Sequence, residues 1–132
     1  MFVVPKLTEG RGLWVSDDEK LAYVSSGTEL LRWRANAGLD TYADGFTELG
    51  NLWVDADDEE TVYATDRGAN RVYRVGSDRE AVPIAGNGSA NRVVGTGKAL
   101  EMSMNGVRGI WRHPIGGFLL ATLLLHATGV AM

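Results

Sequence analysis

Cysteine is absent from this 132-residue sequence, and its absence excludes several kinds of chemistry at once. Without a thiol, the chain has no disulfide, no thiolate nucleophile and no cysteine-ligated zinc. The sequence therefore carries no sign of the redox state of its compartment. Its length suits one domain with a hydrophobic core of its own.

An excess of positive charge is also missing, because 13 lysines and arginines are outnumbered by 17 aspartates and glutamates. The formal net charge of −4 argues against nucleic acid as a partner, since phosphate binding needs a concentrated basic surface. The first residues lack the basic start, long apolar stretch and cleavage site of a secretory signal. The sequence predicts no particular compartment.

No apolar run is long enough to predict a membrane span. The apolar stretch 118–132 has 15 residues, whereas a membrane helix needs about 20. We expect a pair of buried strands there. Two alternatives stay open, namely a tail that packs on another molecule and a short amphipathic C-terminal helix. The helix would place four apolar residues on one face, at Leu120, Leu123, Leu124 and Ala127.

Motifs for catalysis and metal binding are missing as well. The acidic run 55–60 lacks the glycine and the distant glutamate of an EF-hand loop, and it aligns with residues 16–19 as a solvated hairpin turn. His113 and His126 have no carboxylate or second histidine at ligand spacing. No Gly-x-Ser-x-Gly nucleophile motif is present. We therefore predict no catalytic residue, no metal ligand and no cofactor.

Glycine and tryptophan are what the chain does contain in an informative pattern. The 17 glycines indicate many tight turns, which favours an all-β chain. Trp14, Trp53 and Trp111 each lie in a short apolar segment that precedes a polar turn and a second apolar segment. The first two are 39 residues apart, close to the roughly 40 to 50 residues of a four-stranded propeller blade. Because a buried tryptophan removes about 150 to 250 Å² from water, we predict that all three are core residues.

Tyrosines support the same repeat. Tyr23 follows the first of these tryptophans by nine residues, and Tyr63 follows the second by ten. Leu120 takes the corresponding place in the third repeat. We therefore align these three residues as equivalent positions of the repeat.

The second repeat resembles a known family. Residues 52–57 (LWVDAD) and 62–75 (VYATDRGANRVYRV) closely resemble an NHL repeat, whose usual wording is GIAVD followed by YVADxGNxRI. Residues 83–88 (PIAGNG) and 99–110 (ALEMSMNGVRGI) resemble the NHL connection into the next blade, with Val107 in place of the usual proline. The chain is also similar to gluconolactonase-like propellers. The resemblance implies a β-propeller, a fold that serves scaffolding, ligand binding and several enzyme chemistries.

The repeats fit about three four-stranded antiparallel blades, a partial propeller. We expect a single domain over residues 1–132, with blade 1 at about 10–46, blade 2 at about 48–86, a linker loop at 86–106 and an incomplete blade 3 at about 107–132. A further strand at residues 2–7 would complete a blade. Because propellers typically close with roughly four to eight blades, we expect either a fragment of a longer protein or a homodimer that completes the propeller.

Repeats without a catalytic constellation favour a non-catalytic scaffold that binds a protein or a small-molecule ligand. The alternative is a fragment of a propeller enzyme, a lactonase-like hydrolase or a lyase, with calcium or another divalent metal in the central channel. The candidate ligand-facing residues near the blade-top loops are Asp66, Arg67, Asn105 and Arg108. The arginines in this region either line a shared anion-binding face or decorate exposed strands.

Overall fold

The chain folds into antiparallel sheets. The computed structural model describes residues 9–91, 97–122 and 127–130, which form eleven strands and one short 3₁₀ helix, Ala99–Glu101. Sheet I contains β1 (Gly10–Val15), β2 (Leu21–Ser26), β3 (Glu29–Arg34) and β4 (Gly38–Ala43). Sheet II contains β5 (Leu49–Val54), β6 (Val62–Asp66), β7 (Arg71–Val75) and β8 (Ala81–Ala85). Sheet III contains β9 (Gly109–Arg112), β10 (Phe118–Ala121) and β11 (Ala127–Val130). The predicted all-β fold class is confirmed.

Turn residues set the strand boundaries. Gly27, between β2 and β3, has φ of 60°, and Asn70, between β6 and β7, has φ of 56°. Glycine and asparagine tolerate this left-handed region better than other residues do. The acidic segments form the β1–β2 and β5–β6 turns, where Asp18 accepts a hydrogen bond from the backbone N–H of Lys20 at 3.1 Å. The chain therefore reverses at polar, locally hydrogen-bonded segments.

The first strands of the three sheets lie side by side in the order β1, β5, β9. A Cβ added to Gly12 would lie 2.8 Å from the carbonyl oxygen of Gly50, so the two strands approach closely near their starts. Arg112 forms an ion pair with Asp55 at 3.0 Å, where β9 and β5 end. The three strands therefore run in the same direction, as the inner strands of propeller blades do. We call the end where they begin the upper end and the opposite end the lower end.

Two apolar cores fill the spaces between the sheets. The first core packs sheet I against sheet II, and its buried residues include Tyr23, Leu30, Tyr42, Phe46, Leu49, Val54, Val62 and Val75. The second core packs sheet II against sheet III around Tyr63 and Phe118, whose ring centroids are 4.7 Å apart. Met104 of the linker and Val107, directly after the linker, belong to the second core. Val107, at the position where the resemblance implied a proline, is fully buried.

The prediction that all three repeated tryptophans are core residues is wrong. Trp14 and Trp53 are half-buried at the margins of the two cores, and Trp111 is 43% exposed. Trp14 and Trp53 each lie on a face that the next sheet covers in part, whereas no described sheet covers the face of sheet III that carries Trp111. The buried residues are their cross-strand partners, Tyr23 and Tyr63.

The alignment of Leu120 with the two tyrosines is also wrong. In sheet III, Trp111 pairs with Leu119, whereas Leu120 pairs with Ile110. Because successive side chains of a strand point to opposite faces, Leu120 lies in the second core and Leu119 lies on the outer face. Leu119 is 46% exposed. The third repeat is therefore offset by one residue from the alignment that the sequence suggested.

The apolar C-terminal stretch contains a strand pair where the structure describes it. Residues 118–121 of β10 pair with residues 127–130 of β11 in antiparallel register, from Phe118↔Val130 to Ala121↔Ala127. A C-terminal helix is not found in these two ranges. The predicted strand at residues 2–7 lies outside the described residues. None of the described helical residues forms an apolar helix of bilayer-spanning length.

Candidate functional site

A hydroxyl group links sheet I to sheet II at the upper end. The register of β1 shifts between Gly10 and Leu13, a bulge that leaves the N–H of Gly12 outside the ladder. The Ser25 Oγ accepts a hydrogen bond from this N–H at 2.7 Å. The same hydroxyl donates to the carbonyl oxygen of Gly50 at 2.6 Å. One side chain thus holds the bulge of its own sheet and the inner strand of the next.

The same arrangement links sheet II to sheet III. The Thr65 Oγ1 accepts a hydrogen bond from the N–H of Asn51 at 3.0 Å and donates to the carbonyl oxygen of Arg108 at 2.8 Å. Thr65 is fully buried, as Ser25 is. These two hydroxyl clamps fix the starts of the three inner strands relative to one another.

Asp66 is buried at the end of β6 and binds backbone groups. Its Oδ2 accepts a hydrogen bond from the N–H of Thr47 at 2.8 Å, and its Oδ1 accepts one from the N–H of Glu48 at 2.9 Å. The N–H groups of Gly68 and Ala69 also donate to Oδ1, at 3.2 and 3.1 Å. The carboxylate thereby joins the loop that leads into β5 to the turn that follows β6. Asp66 therefore positions the loop before β5 and the turn after β6. Its side chain does not line the cleft that lies next to them.

Three arginines from three sheets meet at the upper end. They line an open cleft of about 280 Å³ between the inner strands. The lining residues are Arg11, Gly50, Asn51, Arg67 and Arg108, and we call this site the arginine cleft. Gly50 lies three residues before Trp53, as Arg11 and Arg108 lie three residues before the tryptophans of their own strands. Gly50 has no side chain. The cleft is therefore open above β5 and basic at its sides.

Glu48 is the carboxylate that forms ion pairs with two of these arginines. Its partners are Arg67 and, at 3.2 Å, Arg11. The hydrogen bond from Arg67 lowers the pKa of the Glu48 carboxyl, and the charges of Arg67, Arg11 and Arg108 lower it further, while burial opposes them. Glu48 is thus held in its ionised form. The three guanidinium groups outnumber the carboxylates there, Glu48 and the neighbouring Asp66, and leave an excess of positive charge at the cleft.

The linker lies beside the cleft and is fastened to sheet II. Asn70 accepts a hydrogen bond from the N–H of Gly106 at 2.9 Å through its Oδ1. Arg71 donates to the carbonyl oxygen of Asn87 at 3.3 Å. Asn105 is half-buried next to the first of these bonds and does not line the cleft. The linker therefore forms part of the upper surface, although its core residues are packed inside.

The lower end has a different charge pattern. The turns there carry most of the acidic run 55–60, together with Asp17, Asp18 and Glu19. Asp40 forms ion pairs with Arg32 and Arg79, at 3.2 and 3.1 Å. A second cleft at this end is lined by residues from the turns of sheet I alone, namely Lys20, Leu21, Arg34, Ala35 and Asn36. The upper cleft is distinguished by side chains from three sheets.

Two of the four candidate ligand-facing residues meet in the cleft, Arg67 and Arg108, whereas Asp66 and Asn105 lie beside it. Sequence reasoning missed Arg11 and Glu48. A signal for Arg11 was present, because Arg-Gly-x-Trp occurs at residues 11–14 and again at residues 108–111. In the part of the chain that the structure describes, no group of three or more His, Asp or Glu side chains could hold a metal ion.

Comparisons with known proteins identify the fold. Virginiamycin B lyase from Staphylococcus aureus superposes with a TM-score of 0.65 and 12% sequence identity over 100% of this chain and 44% of the lyase chain. The extracellular domain of a hybrid two component system from B. thetaiotaomicron superposes with a TM-score of 0.60 and 14% identity, over 97% of this chain and 17% of that chain. Both neighbours have propeller-type folds, so the sheets are blades of a partial β-propeller. No protein-family model and no curated protein sequence matches the chain.

Proposed function

We propose that the protein is an NHL-like β-propeller that acts as a non-catalytic binding scaffold and takes its ligand at the arginine cleft. The observation that carries this proposal is the meeting of Arg11, Arg67 and Arg108 at the upper end. A site built from several strands of a rigid scaffold holds its groups more firmly than a site on one loop. The sequence of the second repeat, at residues 52–57 and 62–75, supports the NHL resemblance.

The architecture around the cleft favours a preformed site. The clamp of Thr65 fixes the backbone of Arg108, and the carboxylate of Asp66 fixes the loop that carries Glu48. Both clamping residues are fully buried, so water does not compete for these bonds. A ligand that binds here pays little for ordering the site.

Nuclear magnetic resonance of the ¹⁵N-labelled full chain tests the site. The probes are N-acetyl amino-acid amides with neutral, acidic and basic side chains, so that only the acidic probes carry a carboxylate. We expect at least one of them to shift the amide signals of Arg11, Asn51 and Arg108 in a saturable way. Shifts confined to the lower end, around residues 16–20 and 55–60, would contradict the proposal, as would the absence of any saturable shift.

A second candidate function is a fragment of a propeller enzyme, a lyase or a lactonase-like hydrolase. The superposition on virginiamycin B lyase favours the lyase version. This chain spans 44% of that lyase, so the activity would belong to a larger assembly that holds a divalent metal in its channel. Calorimetric titration with calcium and zinc separates the candidates. Saturable metal binding at the upper end would favour the enzyme, and its absence would favour the scaffold.

A further inference from the structure

We propose that the arginine cleft recognises a small ligand through an oxyanion group, a carboxylate or a phosphate, and that Glu48 is a built-in competitor for that group. This inference rests on the proposed binding function and names the chemistry of its ligand. The composition of the whole chain gives no hint of it, because the net charge is −4. The local charge at the cleft has the opposite sign.

The first support is the balance of charge. Arg11 and Arg67 both pair with the same oxygen, Oε1, of Glu48. No described carboxylate lies within ion-pairing distance of Arg108, which is exposed at the edge of the cleft. The three guanidinium groups outnumber the carboxylates at the cleft, which are Glu48 and the neighbouring Asp66. An oxyanion that entered the cleft would reduce this imbalance.

The second support is an unused donor. The Nε of Arg67, whose side chain is 17% exposed, is buried without a hydrogen-bond partner, as are the Nε atoms of Arg34 and Arg71 outside the cleft. Buried polar atoms are normally hydrogen-bonded, and an unpaired one needs an explanation. Guanidinium groups present two parallel donors that match carboxylate and phosphate oxygens. A bound oxyanion would supply acceptors for the exposed guanidinium N–H groups at the cleft that Glu48 does not use, those of Arg108 above all.

The third support is the geometry of Glu48. It leads into β5 and reaches the arginines from the loop that Asp66 fixes through two hydrogen bonds. Its carboxyl has a lowered pKa because of the hydrogen bond from Arg67 and the charges of the three arginines. Glu48 therefore remains negative near neutral pH and repels an incoming anion. Removing its charge is expected to strengthen anion binding.

Isothermal titration and ¹⁵N chemical-shift mapping of the full chain test the proposal, with inorganic phosphate and succinate as separate probes at low ionic strength. We expect saturable binding at the cleft, with Glu48→Gln tightening it by about tenfold. Arg108→Gln is expected to weaken it by about fivefold or more. Arg74→Gln removes an equal charge from the exposed face of β7, away from the cleft, and is expected to change it by less than about twofold. The relative affinities for the two probes identify the preferred oxyanion.

Three outcomes would overturn the proposal. These are no saturable binding of either anion, equal losses in Arg108→Gln and Arg74→Gln, or weaker binding in Glu48→Gln. Arg108 and Arg74 are both exposed, so circular dichroism of each variant is expected to match the parent, and Arg108→Lys serves as a second variant with its charge retained. If neutral or basic acetyl amino-acid amides, which carry no carboxylate, bind at the cleft while phosphate and succinate do not, the scaffold function stands and the oxyanion inference fails.

Discussion

At the scale of single residues, the hydroxyls of Ser25 and Thr65 have the largest structural effect for their size. Each satisfies an N–H in its own sheet and a carbonyl oxygen in the next. Valine in place of Thr65, or alanine in place of Ser25, would fill nearly the same volume without these bonds. Because a buried polar group left without a partner destabilises the folded state, the two hydroxyls are expected to matter more than most core methyl groups.

Thr65→Val is expected to lower the free energy of unfolding by about 1 to 3 kcal/mol, because the N–H of Asn51 and the carbonyl oxygen of Arg108 lose their partner. Urea denaturation followed by circular dichroism measures the change. Thr41→Val, at an exposed position in β4, is the matched control and is expected to have little effect. Equal stability of the two variants would show that the clamp does not contribute.

Carboxyl groups with lowered pKa values predict sensitivity to acid. Burial raises the pKa of Asp40, but the hydrogen bonds and charges of Arg32 and Arg79 outweigh it, so the net change is downward. The pKa of Glu48 is lowered by Arg67. A group whose pKa is lower in the folded state stabilises it above the unfolded value, about 4. That contribution is lost as the pH falls through the folded value.

Stability is therefore expected to be level from about pH 7 to pH 5 and to fall as the pH drops below about 4. Urea denaturation at a series of pH values measures this profile. Asp40→Asn is expected to flatten the acid limb, since it removes one titrating group. A profile for Asp40→Asn that is parallel to the parent below pH 4 would contradict the assignment.

At the scale of elements, the turn after β8 depends on glycine. Gly86 has φ of 87°, and a Cβ there would lie 2.3 Å from the carbonyl oxygen of Asn70. The same residue donates its N–H to Ala99 at 2.9 Å, which folds the linker back onto sheet II. The linker therefore starts at a position that no other residue fills without rearrangement.

Gly86→Ala is expected to destabilise the fold by about 2 kcal/mol or more, because it combines backbone strain with a clash. Gly97→Ala is the control within the same linker, since an added Cβ there would have its nearest contact at 3.9 Å, the Cγ of Met102. Thermal denaturation of both variants measures the difference. Similar melting temperatures would show that the β8 turn accommodates a side chain.

The strands were predictable from the sequence because their signals are local. Apolar segments between polar turns predict four-stranded antiparallel sheets, and sheets I and II have four strands each. The exposure of Trp111 was not predictable in this way, because it depends on whether another sheet covers its face. Which of Leu119 and Leu120 is buried depends on the register between β9 and β10, because a shift of one residue exchanges the two faces of a strand.

The candidate site was predictable in part. Arg67 and Arg108 were selected because they lie next to loops at one end of the blades, and the structure places both in the cleft. Glu48 carries no sequence signal, since its role arises from contact with residues 19 and 37 positions away. Asp66 looked equally available to a ligand in the sequence, but its oxygens accept four backbone bonds that only the folded turn provides.

At the scale of the whole molecule, both outer sheets present apolar side chains away from the cores. Leu13 of sheet I is 66% exposed, and Leu119 and Trp111 of sheet III form an exposed cross-strand pair. Within the chain, sheets bury such faces against one another. We propose that a second copy of the chain covers these faces, with sheet III of one copy against sheet I of the other. Such a contact would repeat the packing of sheet I on sheet II and of sheet II on sheet III within the chain.

Multi-angle light scattering over a range of concentrations tests this pairing. We expect a monomer–dimer equilibrium that Leu119→Lys shifts towards the monomer. Leu100→Lys alters a leucine that is 53% exposed on the linker helix and is expected to leave the equilibrium unchanged. A parent protein that stays monomeric at every concentration, or equal effects of the two variants, would contradict pairing through sheet III.

The hydroxyl clamps have a consequence for exchange measurements. The amide hydrogens of Gly12 and Asn51 are bound to hydroxyls whose own hydrogens are directed at the next sheet. Their deuterium exchange therefore reports the separation of neighbouring sheets, whereas ladder amides report the opening of a single sheet. In sheet III, the position equivalent to Ser25 and Thr65 is Ala121, which pairs with Gly109 and has no hydroxyl group. The interfaces between sheets can thus be followed one at a time, each through one amide.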